Sequence, residues 1–191
     1  TQRLSYVGEL GYELYVELKD AKKIYELIIN KGKDFNLSNC GMHAMDTMRM
    51  ESGFLHWGHD ISPEENQYEA GLNFTINYKK EINFIGKESL LKIREKKQDK
   101  KFIMLSLINS KPGKPIMLHD EPIYLNDEII GRTTSGNYSF NYNKNLSFGY
   151  VKTEYSNEEL HKMNLYIEVA KQKYAAIIEL NPLKDKENRL S

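Results

Sequence analysis

Pro122-Ile123-Tyr124-Leu125-Asn126-Asp127-Glu128-Ile129-Ile130-Gly131 is the stretch that decides the fold. Two short apolar runs flank Asn126-Asp127, a pair that tolerates the left-handed backbone of a tight turn, so the segment reads as a β-hairpin. The same texture continues downstream through Arg132–Tyr138, Leu146–Val151, Leu165–Val169 and Tyr174–Ile178, and upstream in Phe102–Ile108. Short alternating strands punctuated by turn residues predict a small β-barrel or sandwich, with Pro182 ending the last strand.

Upstream of Phe102 the pattern changes. Arg94-Glu95-Lys96-Lys97-Gln98-Asp99-Lys100-Lys101 is a charged run, read as a solvated helix end plus linker and not as a nucleic-acid patch. It divides the chain into 1–98 and 99–191. In the first part, Leu4, Tyr6, Leu10, Tyr12, Leu14, Val16 and Leu18 alternate as one or two strands interrupted by glycines. Asp20 is placed to cap a helix through Ala21, Ile24, Tyr25 and Ile28, with Gly32 as its stop. A second helix is expected within 35–54, capped by Ser38 or Asn39, flanked by Met42, Met45, Met48 and Met50, and ended by Gly53. Residues 71–78 read as a strand, and Gly86 leads into a short helix through Leu90, Leu91, Ile93 and Arg94. The fold class is therefore α+β.

The chain has 191 residues, long enough to bury a core without disulfides. Lys plus Arg and Asp plus Glu are 27 each, so no net charge draws it to nucleic acid or to an acidic membrane. No apolar run is long enough for a transmembrane helix, and no apolar segment follows Thr1–Ser5 as a signal peptide requires. A cytoplasmic location is the expectation. Cys40 is the single cysteine, which excludes a disulfide framework, and it is expected to be a buried, unreactive thiol. His56 and His59 are three apart, but Gly58 argues against a helix there, so they are read as loop histidines and no metal site is expected. Nucleotide-binding glycine motifs and a Gly-x-Ser-x-Gly elbow are absent.

Two segments carry chemistry. In Ser5-Tyr6-Val7-Gly8-Glu9-Leu10-Gly11-Tyr12-Glu13 the glycines allow close backbone approach, Tyr6 offers a flat face, and Glu13 sits among apolar neighbours. A carboxylate accepts two parallel N–H bonds from an amino-heterocycle, so tyrosine packing plus glutamate pairing would grip a pterin or purine. By spacing alone, a glycine-rich turn with an edge glutamate is the better explanation of the segment. In Asp46-Thr47-Met48-Arg49-Met50-Glu51-Ser52-Gly53-Phe54, Arg49 is read either as an ion-pair partner of Asp46 or Glu51 or as a clamp for a ligand carboxylate.

These segments, with Trp57-Gly58-His59-Asp60-Ile61, Glu69-Ala70-Gly71-Leu72, Phe84–Leu90, Gly131-Arg132-Thr133-Thr134-Ser135-Gly136 and Leu146–Val151, resemble in order the folate-binding aminomethyltransferase family. That family comprises the glycine-cleavage T-protein and the C-terminal parts of dimethylglycine and sarcosine dehydrogenases. Trp57-Gly58, Glu69–Leu72 and Pro182-Leu183…Asn188-Arg189-Leu190 resemble the dehydrogenase branch. The resemblance implies that 1–98 is the C-terminal half of the folate domain and 99–191 the C-terminal β-barrel domain. It implies tetrahydrofolate as cofactor, with Tyr6, Glu13, Arg49, Phe54 and Trp57 around it, no catalytic residue in this chain, and FAD only if a missing N-terminal domain exists.

It implies a one-carbon transfer from an N-methyl or aminomethyl donor to tetrahydrofolate. The chain would be a split subunit, truncated product or remnant, inactive alone. It would associate with an N-terminal or flavin-bearing partner, or with itself. Alternatives from the same resemblance are a non-catalytic assembly module and a folate-dependent O- or S-demethylase. The iron–sulfur repair relative is disfavoured because its Lys-Gly-Cys-Tyr-x-Gly-Gln segment is missing.

Overall fold

The structure, a computed structural model, describes residues 1–184. Six strands form its centre: β1 (Lys100–Leu107), β2 (Pro122–Leu125), β3 (Glu128–Ser139), β4 (Lys144–Lys152), β5 (Leu165–Val169) and β6 (Gln172–Glu179). They close in the order β1-β4-β3-β2-β5-β6, every neighbouring pair antiparallel. Of barrel and sandwich, the chain forms the barrel, and closure leaves no open sheet edge there.

The alternation seen in the sequence is the inward face. Ile103, Leu105 and Leu107 of β1, Ile123 and Leu125 of β2, Leu165 and Ile167 of β5, and Ala176 and Ile178 of β6 meet in one core. Asn126 takes a positive φ of 55°, as the hairpin reading requires. Gly149 lies so close to β3 that a Cβ there would sit 2.5 Å from the Arg132 carbonyl oxygen. A short helix, α4 (Asn157–His161), places fully buried Leu160 in the core. The sequence reading missed α4, although Ser156 and Glu159 form the reciprocal pair of bonds that starts helices: Glu159 N–H donates to Ser156 Oγ (3.1 Å) and Ser156 N–H to Glu159 Oε2 (2.7 Å).

Before the barrel lie α1 (Leu18–Gly32), α2 (Met42–Glu51) and α3 (Lys87–Arg94). Helix α1 starts two residues before Asp20, capped by the backbone of Glu17. It runs through Gly32 into a 3₁₀ turn that ends where Asn36 adopts φ 55°. Helix α2 begins after Gly41 without a side-chain cap, so neither Ser38 nor Asn39 caps it, while Gly53 (φ 72°) ends it as expected. Its methionine flank is not uniformly packed: Met50 is buried, whereas Met42 is exposed.

Two expected strands are absent among the described residues. Residues 4–18 form only one isolated bridge, Gln2 to Glu13, and 71–78 contain a 3₁₀ turn at Asn73–Thr75. A strand exists only through its neighbours, and the alternating side chains Leu4, Leu10, Tyr12, Leu14 and Val16 are all exposed. Cys40 is exposed, not buried, because it lies in the connection before α2 with nothing packed over it.

The charged run is more than a linker. Gln98 accepts from Asn66 Nδ2 (2.8 Å) and its carbonyl accepts from Thr153 Oγ1 (2.5 Å). Phe102 N–H donates to the Glu69 carbonyl at 2.7 Å. These bonds, with a Lys100–Glu65 ion pair at 2.5 Å, attach residues 65–70 to the start of the barrel. Asn188, Arg189 and Leu190, part of the stretch that resembles the dehydrogenase branch, lie outside the described residues.

Candidate functional site

The sequence between α2 and the barrel wall builds a buried polar staple. Arg49 is 2% exposed and Asp60 1%. A lone buried charge is costly, so each must be fully partnered. The Asp60 carboxylate accepts from Arg49 Nη1, from His56 N–H (2.8 Å), from Thr134 Oγ1 (2.6 Å) and from Ser135 Oγ (2.7 Å). Arg49 also donates from Nη2 to Ser135 Oγ (2.9 Å), from Nη1 to the Phe54 carbonyl (3.1 Å) and from Nε to Asp46 (3.3 Å). Its guanidinium lies over the Phe148 ring at 5.4 Å. Tyr150 donates to the Asp60 carbonyl at 2.9 Å, and burial, first, with nearby Glu65 and Asp60 pushes its hydroxyl pKa far up, so it stays a neutral donor.

A β-bulge makes the staple work. The β3–β4 register passes from Thr133 opposite Gly149 to Ser135 opposite Phe148, leaving Thr134 as an extra residue. In a regular strand consecutive side chains face opposite sides; the bulge lets both Thr134 and Ser135 reach the same carboxylate oxygen. Glu51, also 2% exposed, adds a second staple by accepting from Ser139 Oγ (2.5 Å) and Asn141 Nδ2 (2.9 Å).

Arg49 thus has Asp46 as one partner, does not pair with Glu51, and has Asp60 as its principal one. The sequence reading quoted Asp60, Thr134 and Ser135 only within motifs. The polar run Thr133-Thr134-Ser135 within a strand was the available signal.

The staple holds an aromatic wall. Half-buried Tyr6 donates to the Leu55 carbonyl (3.1 Å), lies near-parallel to Phe54 with ring centroids 6.4 Å apart, and meets His56 edge-on at 6.4 Å. Burial raises the Tyr6 pKa, opposed by the charge of Arg49. Gly8 (φ 71°) is required beside it: a Cβ there would collide with Ser52 Oγ, which itself donates to the Val7 carbonyl at 3.2 Å.

Trp57 is exposed on the same loop. Glu13 is exposed as well, not enclosed by apolar neighbours. Its backbone pairs with Gln2 in both directions (2.9 Å each), and its carboxylate accepts from Tyr15 OH at 2.5 Å, a bond that raises the tyrosine pKa. The structure therefore joins Tyr6, Phe54 and Arg49 through one loop and leaves Glu13 and Trp57 at the surface. Among the described residues no group of three or more His, Cys, Asp or Glu has the geometry to hold a metal.

A closed six-stranded antiparallel barrel stapled at its rim to a helix and an aromatic loop defines a barrel domain joined to a helical segment. Residues 1–80 match the GCVT N-terminal domain and residues 100–185 the glycine cleavage T-protein C-terminal barrel domain. The chain belongs to this T-protein family.

Human mitochondrial dimethylglycine dehydrogenase is 34% identical over 181 residues, which cover 95% of this chain and 20% of that protein. The aminomethyltransferase of Symbiobacterium thermophilum is 32% identical over 154 residues, 81% of this chain and 40% of that protein. The crystal structure of glycine cleavage system aminomethyltransferase T from Bartonella henselae superposes with a TM-score of 0.82 over 96% of this chain and 49% of that one, at 21% identity, a likeness of fold. The chain thus spans only a fifth to two fifths of the length of these curated relatives.

Proposed function

We propose that the chain is the tetrahydrofolate-binding part of a one-carbon transfer enzyme of the aminomethyltransferase or dimethylglycine dehydrogenase type. The observation that carries this reading is the Arg49–Asp60–Ser135 staple, which fixes the Tyr6–Phe54 wall against the barrel in a chain of this family. Aromatic faces suit the flat ring of a pterin, and its donating amino edge would draw on a carboxylate, for which surface-exposed Glu13 is the candidate. Tetrahydrofolate, when bound, supplies the amine that accepts the one-carbon unit.

The chain's own residues bind and orient. Tyr6 has committed its hydroxyl to Leu55, so it offers its ring face rather than a hydrogen bond. Phe54 extends that face and Trp57 adds an exposed edge. Glu13 supplies the carboxylate for the amino edge. Arg49 acts as a positioning residue, because its donors are engaged by Asp46, Asp60, Ser135 and the Phe54 carbonyl. No residue of this chain is assigned to proton transfer or to a flavin; the donor-side chemistry belongs to the rest of the assembled enzyme.

Tetrahydrofolate titration of the assembled enzyme tests the reading. Charge-assisted bonds are worth roughly 1.5–3 kcal/mol, so Glu13→Gln, which turns one acceptor into a donor, is expected to weaken binding about tenfold or more. Tyr6→Phe keeps the ring and should cost less than Tyr6→Ala. Equal affinity for Glu13→Gln and wild type would leave Glu13 as a turn residue and remove the pterin assignment.

A further inference from the structure

The segment that carries Tyr6 has no ladder of its own. Among the described residues, 3–12 make no backbone–backbone hydrogen bond, and only the Gln2–Glu13 bridge closes their two ends. Such a segment keeps its shape through side chains. Three bonds tie it to the rest of the described molecule: Tyr6 OH to the Leu55 carbonyl (3.1 Å), Ser52 Oγ to the Val7 carbonyl (3.2 Å), and Lys184 Nζ to the Glu9 carboxylate. The first two come from the end of α2 and the loop after it. The third comes from the stretch that follows β6, and joins residues 175 positions apart.

The backbone at Lys184 is held in place before its side chain begins. Leu183 packs against the cluster of Met50, Met104, Leu146 and Phe148. Pro182 lies against Gly53, where a Cβ would come 2.7 Å from the proline Cγ. Lys184 N–H donates to the Glu51 carbonyl (2.9 Å), one of the last carbonyls of α2, which have no partner inside the helix. The lysine stem then passes Gly8, where a Cβ would lie 3.5 Å from Lys184 Cδ. The Lys184 side chain is 12% exposed and that of Glu9 43%. An ammonium so far out of water needs an anion, and the C-terminal end of α2 also favours a cation.

We propose that Lys184 is a positioning residue: a clasp from the barrel that fixes the Tyr6–Glu9 turn and, through it, the attitude of the Tyr6 ring. The barrel thereby acts on the aromatic wall twice, through the Arg49–Asp60 staple beneath Phe54 and through Lys184 beside Tyr6. That the ring faces a pterin rests on the proposed function; the clasp itself is measured without folate.

The test is NMR relaxation of the full chain, with the amides of β1 as the rigid reference in the same spectrum. Order parameters of Val7, Gly8 and Glu9 are expected at about 0.85 in the wild type and below about 0.6 in Lys184→Met, which keeps the apolar stem and loses the charge. Lys184→Arg keeps the charge and should stay near the wild type. Lys184→Met/Glu9→Gln should be no looser than Lys184→Met, because the two residues form one interaction. In the assembled enzyme Lys184→Met should weaken tetrahydrofolate binding about threefold or more, since a loose turn must be ordered on binding. Unchanged order parameters in Lys184→Met, or an arginine variant as loose as the methionine one, would overturn the clasp. A loosened turn with wild-type folate affinity would overturn the positioning role where Tyr6→Ala still weakens binding. If Tyr6→Ala also binds folate like the wild type, the pterin reading fails and the clasp stands on the order parameters.

Discussion

Asp60 carries more of the architecture than any other polar side chain, because its one carboxylate serves Arg49, His56, Thr134 and Ser135 at once. Asp60→Ala leaves Arg49 buried without its main counter-charge, and breaking a buried pair in this way costs about 3–5 kcal/mol. Urea unfolding should show that loss, whereas a double replacement with Arg49→Met should recover part of it, since both charges are then gone. Glu65 gives a pH signature. Burial alone would raise its pKa, but bonds from Lys100 and Ser62 outweigh this and hold it below the ordinary glutamate value of 4.5. A carboxyl depressed in the fold contributes stability that is complete above its unfolded value and is lost as pH falls through the folded one. Glu65→Gln should therefore lower the urea midpoint at pH 7 and differ progressively less from wild type below about pH 4.5.

At the scale of elements, the sequence read well where a strand's partner lies in the same chain. Strands β2, β5 and β6 alternate because one face packs inward, whereas β1 and β4 are buried on both faces because Met104, Leu146 and Phe148 also pack with Met50 of α2, and the Asn126-Asp127 turn joins β2 to β3 in register. The strands expected at 4–18 and 71–78 have the same alternation but no neighbour to pair with among the described residues. The site was half legible for a related reason. Arg49 stood out as a charge on an apolar helix, yet its partners lie 11 and 86 residues away, and the bulge that turns Thr134 and Ser135 to the same side leaves no mark in the local pattern.

Helix α1 is the element most exposed to this dependence on neighbours. None of its 15 residues is buried, and a helix of that length is marginal in water without tertiary packing. Hydrogen exchange in the isolated chain should find the α1 amides exchanging near the rate of an unprotected helix, while those of β1 exchange only through opening of the barrel. Protection of α1 equal to that of β1 would show that it has stable packing in the chain by itself.

The whole molecule is asymmetric in what it covers. The barrel encloses most of its apolar side chains, whereas Leu4, Leu10, Tyr12, Leu14, Val16, Leu18, Tyr25, Leu27, Phe35 and Leu37 of the first 37 residues are all exposed. Scattered exposed apolar residues are ordinary, but this density in one stretch marks a surface meant to be covered. We propose that its occupant is the remainder of the folate-binding domain, because the chain spans only 16–40% of the curated relatives it matches, and this stretch lies within the match to the GCVT N-terminal domain. The same surface should make the isolated chain self-associate. Sedimentation of the chain alone is expected to show concentration-dependent dimers or larger species. Replacing Leu10, Leu14 and Leu18 with serine should shift them toward monomer while the barrel's near-UV signal stays unchanged. Addition of a polypeptide carrying the remaining part of the domain should replace self-association with a one-to-one complex. A wild-type chain that stays monomeric at high concentration and ignores that polypeptide would show that the exposed face needs no cover.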